Sequence, residues 1–195
     1  MNKRIHNLKS KVISDKTFLL KEYVFDYTYD ECFETEKHLR EVYDHGDGAS
    51  VLLYNLIKNT VILTRQFRLP TLLNGNTSGM NIEVCAGSLD GDSPEKCAIK
   101  EVLEETGYAV QKVEKVFDCY VSPAIMTEIA YLFIGEYADD MKINDGGGLK
   151  EEQEHIEVLE LNFDKAFDMI AVGEIKDART IMLLQHLKIK GIMDT

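Results

Sequence analysis

One well-punctuated helix pattern, set among strand patterns, constrains this chain more than any other feature. Residues 94–106 read PEKCAIKEVLEET. Ser93 suits the N-cap, Pro94 the first helical position, and Gly107 the residue just past the end. Ala98 and Val102, with Ile99 and Leu103 beside them, form a face that can pack on a sheet. Glu101, Glu104 and Glu105 fall on the adjoining face. Three and four apart, such like charges repel by roughly 0.2–0.5 kcal/mol per pair.

Most of the surrounding sequence predicts strands. Residues 17–29 and 36–44 are extended with partial alternation, and HGDGA at 45–49 makes a turn. SVLLYNL (50–56) and TVILTRQF (60–67) predict a hairpin around Lys58-Asn59, apolar enough to be central. Residues 68–79 carry turn chemistry and predict a loop, and MNIEVCAG (80–87) predicts a short strand ending at a glycine. Further strands are expected at 110–123, 128–138 and 155–161. Two closing helices are expected, one on Phe163, Ala166, Phe167 and Ile170 and one over 177–191. These elements predict an α/β fold, a mixed β-sheet in an α/β/α sandwich with an N-terminal β-strand extension. Residues 1–44 form the strand region and 45–195 the main domain.

The net charge of −12, from 22 Lys+Arg against 34 Asp+Glu, argues against a broad nucleic-acid-binding surface. A small polyanionic substrate remains compatible if metal ions or local arginines offset the field. No apolar run approaches the roughly 20 residues of a membrane helix. The basic start, MNKRIHNLKSKVISD, lacks a signal peptide's apolar stretch, so a cytoplasmic protein is expected. Cys32, Cys85, Cys97 and Cys119 form no CxxC pair and read as free thiols; Cys97 and Cys119 suit small core positions.

A run such as EVLEE is ordinarily a solvated, salt-bridged helix face. Three features argue otherwise. Negative charge is disfavoured at a helix C-terminus. Lys100 is adjacent in sequence and is expected to point elsewhere. The strand–glycine–loop entry at 83–94 brings backbone carbonyls to the same face. Clustered oxygen ligands suit a hard cation, and Mg2+ is commonly held by a few carboxylates, waters and substrate phosphates. Such a metal would polarise a phosphate group.

The stretch AGSLDGDSPEKCAIKEVLEETGYAV resembles the signature box of Nudix hydrolases. The Glu-x-x-Glu-Glu-x-Gly core is intact. The usual arginine is Lys100, and the spacing from Gly87 is one residue shorter than the common pattern. REVYDHGDGASVLLYN, RQFRLPTLLNGN, EVCAG, SPAIMTE, INDGGGLKEE and GEIKDARTIMLL together are similar to the GDP-mannose pyrophosphatase branch, close to the ADP-ribose pyrophosphatases. Members of that branch share the lysine and the short box.

The resemblance implies a Mg2+-dependent hydrolase that cleaves the phosphoanhydride of GDP-mannose to GMP and mannose 1-phosphate. ADP-ribose or another nucleotide sugar is the alternative, and an inactive nucleotide-sensing domain a further one. It implies metal ligands at the Ala86 carbonyl, Glu101, Glu104 and Glu105, and at a glutamate from the loop after Gly146-Gly147-Gly148. Alignment from the glycines gives Glu152, alignment from the following strand gives Glu154, and Glu151 stands behind both; Glu152 is preferred. Catalytic roles fall to Glu105 and to Glu152 as general base. Implied substrate contacts are Leu39, Arg40, Glu41, Arg68, Ala86, Gly87, Ser88, Glu128, Glu151 and Arg179, the arginines supplying fork-shaped donors. The resemblance also implies a homodimer whose N-terminal strands exchange or pack across the twofold. The three glycines read as flexible, Met80 and Met126 as filler. His38, His45, His155 and His186 show no ligand or nucleophile partner and receive no catalytic role.

Overall fold

The computed structural model describes residues 4–29, 34–149, 151 and 153–193. Two compact units emerge, one from residues 1–47 with 120–129, the other from 48–119 with 130–195.

The first unit holds a three-stranded antiparallel sheet, β1 (Ile5–Ser14), β2 (Leu19–Tyr27) and β3 (Glu36–Asp44), in that order. β2 and β3 pair without interruption from Leu19–Asp44 to Tyr27–Glu36. β1 carries register shifts between His6 and Lys9 and between Val12 and Ser14. The sequence reading assigned no element to this first strand. Its basic, weakly alternating residues give no period-2 signal, because its eight central positions are all exposed.

The second unit contains a mixed seven-stranded sheet. β4 (Gly48–Asn55) and β5 (Thr60–Phe67) form the expected hairpin, with Leu53 opposite Ile62 and Asn59 at a positive φ of 51°. β9 (Ile129–Glu136) runs parallel to β4, and β8 (Glu114–Tyr120) lies outside it. β10 (Glu157–Asn162) closes the other edge against β5.

β4 and β5 pair only where they join, over residues 53–55 and 60–62. Beyond that they part, and the segment read as one strand fills the gap as two. β6 (Met80–Glu83) pairs with β5, and β7 (Cys85–Ser88) pairs with β4. The break falls at Val84, whose backbone N–H is taken at 2.8 Å by the Thr180 hydroxyl. Thus a buried amide that leaves the ladder is still satisfied.

The alternation of strand side chains builds two cores. Leu52, Val61, Leu63, Leu132 and Ile134 pack with Phe163, Ala166, Leu183, Leu184 and Leu187 from α3 (Phe163–Ala171) and α4 (Ala178–Ile189). Val51, Leu53, Ile62 and Phe133, on the opposite face, pack with Cys97, Ala98 and Val102. Helices therefore cover both faces, as expected for an α/β/α sandwich. Between β5 and β6, residues expected to form a loop include a single helical turn, α1 (Leu69–Leu73), with Pro70 in its first turn. Its Leu-Pro-Thr-Leu-Leu core is too short to show a helical period against the Asn/Gly residues after it.

Candidate active site

Ser93 caps α2 (Pro94–Glu101), its side chain accepting from the Lys96 amide. From Val102 to Thr106 the helix widens into one π-helical turn before Gly107 ends it at φ 78°. Such turns recur at functional sites, and this one spans Glu104 and Glu105. The three glutamates differ in environment. Glu105 is 1% exposed, whereas the Glu101 and Glu104 side chains are 15% and 25% exposed.

Two glutamates reach the β7 backbone. Ala86 N–H donates to Glu105 Oε2 at 3.3 Å. The Glu101 carboxyl lies directly over Gly87: a Cβ there would stand 2.1 Å from Glu101 Cδ. Gly87 is required by that close approach, since no other side chain leaves room for the carboxyl. Ser88, next along, is exposed and gives its carbonyl to the Cys97 thiol at 3.3 Å.

Glu105 Oε1 is buried with no hydrogen-bond partner among the described residues. Burial pushes the Glu105 carboxyl up to about 8; a hydrogen bond from Cys85 opposes this, and the charges of Glu101, Glu154 and Glu83 add to it. Burial likewise holds the Cys85 thiol well above its ordinary value, with Glu105 and Glu101 contributing. A buried, under-satisfied carboxylate beside a second carboxylate is costly unless a cation joins them. The donor set present, two carboxylates on a glycine-cleared strand backbone, fits a hard divalent cation. Among the described residues no three His, Cys, Asp or Glu side chains group as a metal site by themselves. The anticipated loop ligand, Glu152, lies outside the described residues.

Lys100 corrects the sequence expectation. Its Nζ does not point away but stands 3.4 Å from Glu104 and 4.0 Å from Glu101. At 50% side-chain exposure such an i,i+4 pair contributes little stability. Glu104 thus lies on the more open side of the helix end, whereas Glu105 lies inside.

The triple glycine is also more than a flexible tether. Gly147 N–H donates to the Glu105 carbonyl at 2.8 Å and Gly148 N–H to the Glu104 carbonyl at 3.2 Å. A Cβ on Gly146 would lie 2.4 Å from the Glu105 carbonyl oxygen. The loop thus satisfies carbonyls that a helix end leaves orphaned. Glu154 turns back into this loop, where Oε2 accepts from Leu149 N–H at 3.0 Å, and Glu151 is exposed.

Three residues before Ala86, on the other side of the strand break, Glu83 gathers a second cluster. Arg68 donates to Glu83 Oε1 through Nε at 2.9 Å and Nη2 at 2.5 Å. Gln66 donates to the same oxygen at 3.0 Å, and Asn81 donates to Oε2 at 2.6 Å. Arg179 Nη2 stands 3.7 Å from Glu83 Oε2, with Nε and Nη2 also on Asp177 at 3.2 and 3.1 Å. Two arginines singled out separately, 111 positions apart in the chain (68 to 179), therefore meet on one carboxylate. Nothing in the sequence marked Glu83. Its only signal is a lone charged residue in an otherwise uncharged strand segment.

The remaining expected residues belong to the first unit. Leu39, Arg40 and Glu41 are exposed on β3, Arg40 reaching the Leu39 carbonyl at 2.7 Å and His38 Nδ1 at 3.1 Å. Glu128 Oε2 lies 3.2 Å from His45 Nε2, so this histidine has a partner that the sequence did not reveal. The loop before Glu128 is tied to the end of β3. Tyr43 N–H donates to the Ile125 carbonyl at 2.8 Å, and Thr127 Oγ1 donates to Asp44 at 3.0 Å. Among the described residues, no helix is long and apolar enough to cross a membrane, and Cys85, Cys97 and Cys119 are free thiols. Cys32 lies outside the described residues.

Comparison with known proteins identifies the family. Residues 44–182 match the NUDIX domain family. A GDP-mannose pyrophosphatase of Pectobacterium atrosepticum is 53% identical over 191 residues, covering 98% of this chain and 97% of its own. Proteins of the same description from Cronobacter sakazakii and Escherichia coli O1:K1 are each 50% identical over 194 residues, with full coverage of both chains. A crystal structure of an ADP compounds hydrolase superposes with a TM-score of 0.72 over 97% of this chain and 96% of its own, at 14% identity, and shares the fold. The chain belongs to the Nudix family.

Proposed function

We propose that this protein is a nucleoside diphosphate sugar pyrophosphatase that hydrolyses GDP-mannose to GMP and mannose 1-phosphate with Mg2+. The observation that carries this reading is the convergence of Glu101 and Glu105 on the Ala86–Gly87 backbone, with one Glu105 oxygen buried and without a hydrogen-bond partner among the described residues. Relatives described as GDP-mannose pyrophosphatases, matching end to end at about half identity, supply the substrate.

In this reading the Ala86 carbonyl, Glu101, Glu105 and Glu152 hold the cation, and Glu104 stands beside them, biased outward by Lys100. When bound, Mg2+ would neutralise charge on the diphosphate. Glu152 serves as the general base; its loop is drawn to the acid helix by the Gly147 and Gly148 amides. Arg68 and Arg179 present guanidinium donors to the diphosphate. Leu39, Arg40, Glu41, Ser88, Glu128 and Glu151 remain assigned to substrate on the family pattern alone. We also assign the first unit, with its exposed Leu8, Val12 and Ile13, to a homodimer interface, and the enzyme to the cytoplasm.

The test is a panel of nucleotide sugars with Mg2+, following release of nucleoside monophosphate. GDP-mannose should give the highest kcat/KM. Faster turnover of ADP-ribose would move the substrate assignment, and no turnover of any member would make the protein a binding domain.

A further inference from the structure

We propose that Glu83 is a positioning residue, whose buried carboxylate sets the Arg68 and Arg179 guanidiniums in place for the substrate diphosphate. This rests on the diphosphate-hydrolase reading above. Glu83 is 2% exposed, yet it receives three hydrogen bonds on Oε1 and one on Oε2, besides the nearby Arg179. The side chains it holds are more open: Arg68 is 41% exposed and Arg179 is 21% exposed. A buried anion with two outward-lying cations is the arrangement expected of a support beneath an anion-binding surface.

The geometry leaves donors for a ligand. A guanidinium has five N–H groups in a fixed fork. Glu83 engages only Nε and one N–H of Nη2 on Arg68. The main chain at Arg68 is fixed independently, its N–H donating to the Gly79 carbonyl at 2.8 Å and its carbonyl receiving the Thr71 hydroxyl at 2.9 Å. What remains to be set is the side chain, and Glu83 sets it. Asn81 and Gln66 contribute from the neighbouring strands β6 and β5, so the carboxylate cannot rotate without losing a partner. Holding the guanidinium beforehand removes an ordering cost from substrate binding. The break at Val84 then spaces this support from Ala86 and Gly87, so the consecutive strands β6 and β7 carry the seat of the arginines and the backbone face of the acid cluster.

The experiment uses Glu83→Gln, which keeps the shape but turns an amide N–H2 toward other donors, and Asn81→Ala, which removes one support and keeps the charge. Charge-assisted hydrogen bonds are worth about tenfold to a hundredfold in affinity. Glu83→Gln should raise KM for GDP-mannose by about tenfold or more with kcat within about threefold. Asn81→Ala should raise it less, in the same direction. Adding Glu83→Gln to an Arg68→Lys background should cost less than it does alone, because the part of its effect carried by the Arg68 guanidinium is already gone. Binding of inorganic pyrophosphate, measured by calorimetry, should weaken in parallel. If Glu83→Gln does not fold, an unchanged KM and pyrophosphate affinity in Asn81→Ala overturn the proposal. Unchanged KM in a folded Glu83→Gln, or penalties that simply multiply with Arg68→Lys, also overturn it. A wild-type protein that hydrolyses no nucleotide sugar refutes the enzymatic reading instead; a loss of pyrophosphate binding in Glu83→Gln would then still uphold the role of Glu83.

Discussion

In the seven-stranded sheet, Leu52, Leu63 and Leu132 have no accessible surface, whereas in the three-stranded sheet Leu8, Val12, Ile13 and Leu39 are 46–57% exposed. Both cores lie wholly within the second unit, and no described residue of 1–47 or 120–129 is buried. A sheet of three strands is independently stable only when it packs an apolar face, and here the central strand is partly buried along its whole length. The difference teaches that the two units answer to different partners. One is finished by its own helices. The other carries apolar side chains whose cover, in the dimer proposed above, is a second copy. The acid cluster belongs to the finished unit, where Glu105 is fixed on three sides by the β7 backbone, the π-turn and the glycine loop.

The sharpest way to break this contrast is to remove charge from the rigid side. Glu105→Gln should lower kcat by about a hundredfold to a thousandfold, as loss of one preorganised charge-stabilising group commonly does. The fold should persist, since the amide keeps the side chain's shape and spares the burial of a carboxylate. Steady-state kinetics with a melting curve on the same sample checks both. Turnover equal to wild type would remove Glu105 from the metal site.

The next test sets one unit against the other. Leu132→Ala should cost about 2–5 kcal/mol in stability through the cavity it leaves in a filled core. Val12→Glu should cost far less in the folded chain, because Val12 is already half exposed, yet it should halve the mass seen by sedimentation. If Val12→Glu leaves the mass unchanged, β1 is not part of a dimer interface.

Much of the second unit could be read because its central strands are buried on both faces and appear as near-continuous apolar runs. β5 occupies the predicted residues 60–67, and the hairpin turns at Asn59; in the first unit, β3 occupies the predicted residues 36–44. The Ser93–Pro94 start and Gly107 stop of the acid helix are local chemistry, so they were legible as well. What escaped depends on long-range partners. β1 has no apolar alternation to announce it. The π-turn arises in a segment whose helical period is otherwise continuous. The capping role of Gly147 and Gly148 requires knowing that a loop some 40 residues on returns to Glu104 and Glu105, and Glu83 acquires its meaning only when Gln66, Arg68 and Arg179 arrive around it. Motif residues could be found one at a time. The carboxylate that joins two of them could not.

The last comparison separates the units by pH. In metal-free protein the Glu105 carboxyl is pushed up to about 8, chiefly by burial, from an ordinary value near 4.5. Between those values the folded chain keeps a proton that the unfolded chain has released. Stability therefore falls as pH rises through this window, by at most about 1.4 kcal/mol per pH unit, and the dependence on Glu105 vanishes below and above it. A cation that takes the ionised carboxylate competes with that proton, so Mg2+ should raise the melting temperature more at pH 8 than at pH 5. Glu105→Gln has nothing to titrate and should lose most of both slopes. Val12→Glu lies in the other unit and should keep both. Melting curves at several pH values, with and without Mg2+, decide the matter: a metal-free wild type whose melting temperature does not fall between pH 5 and 8 would mean that the Glu105 carboxyl already finds in water what the buried site is argued to withhold.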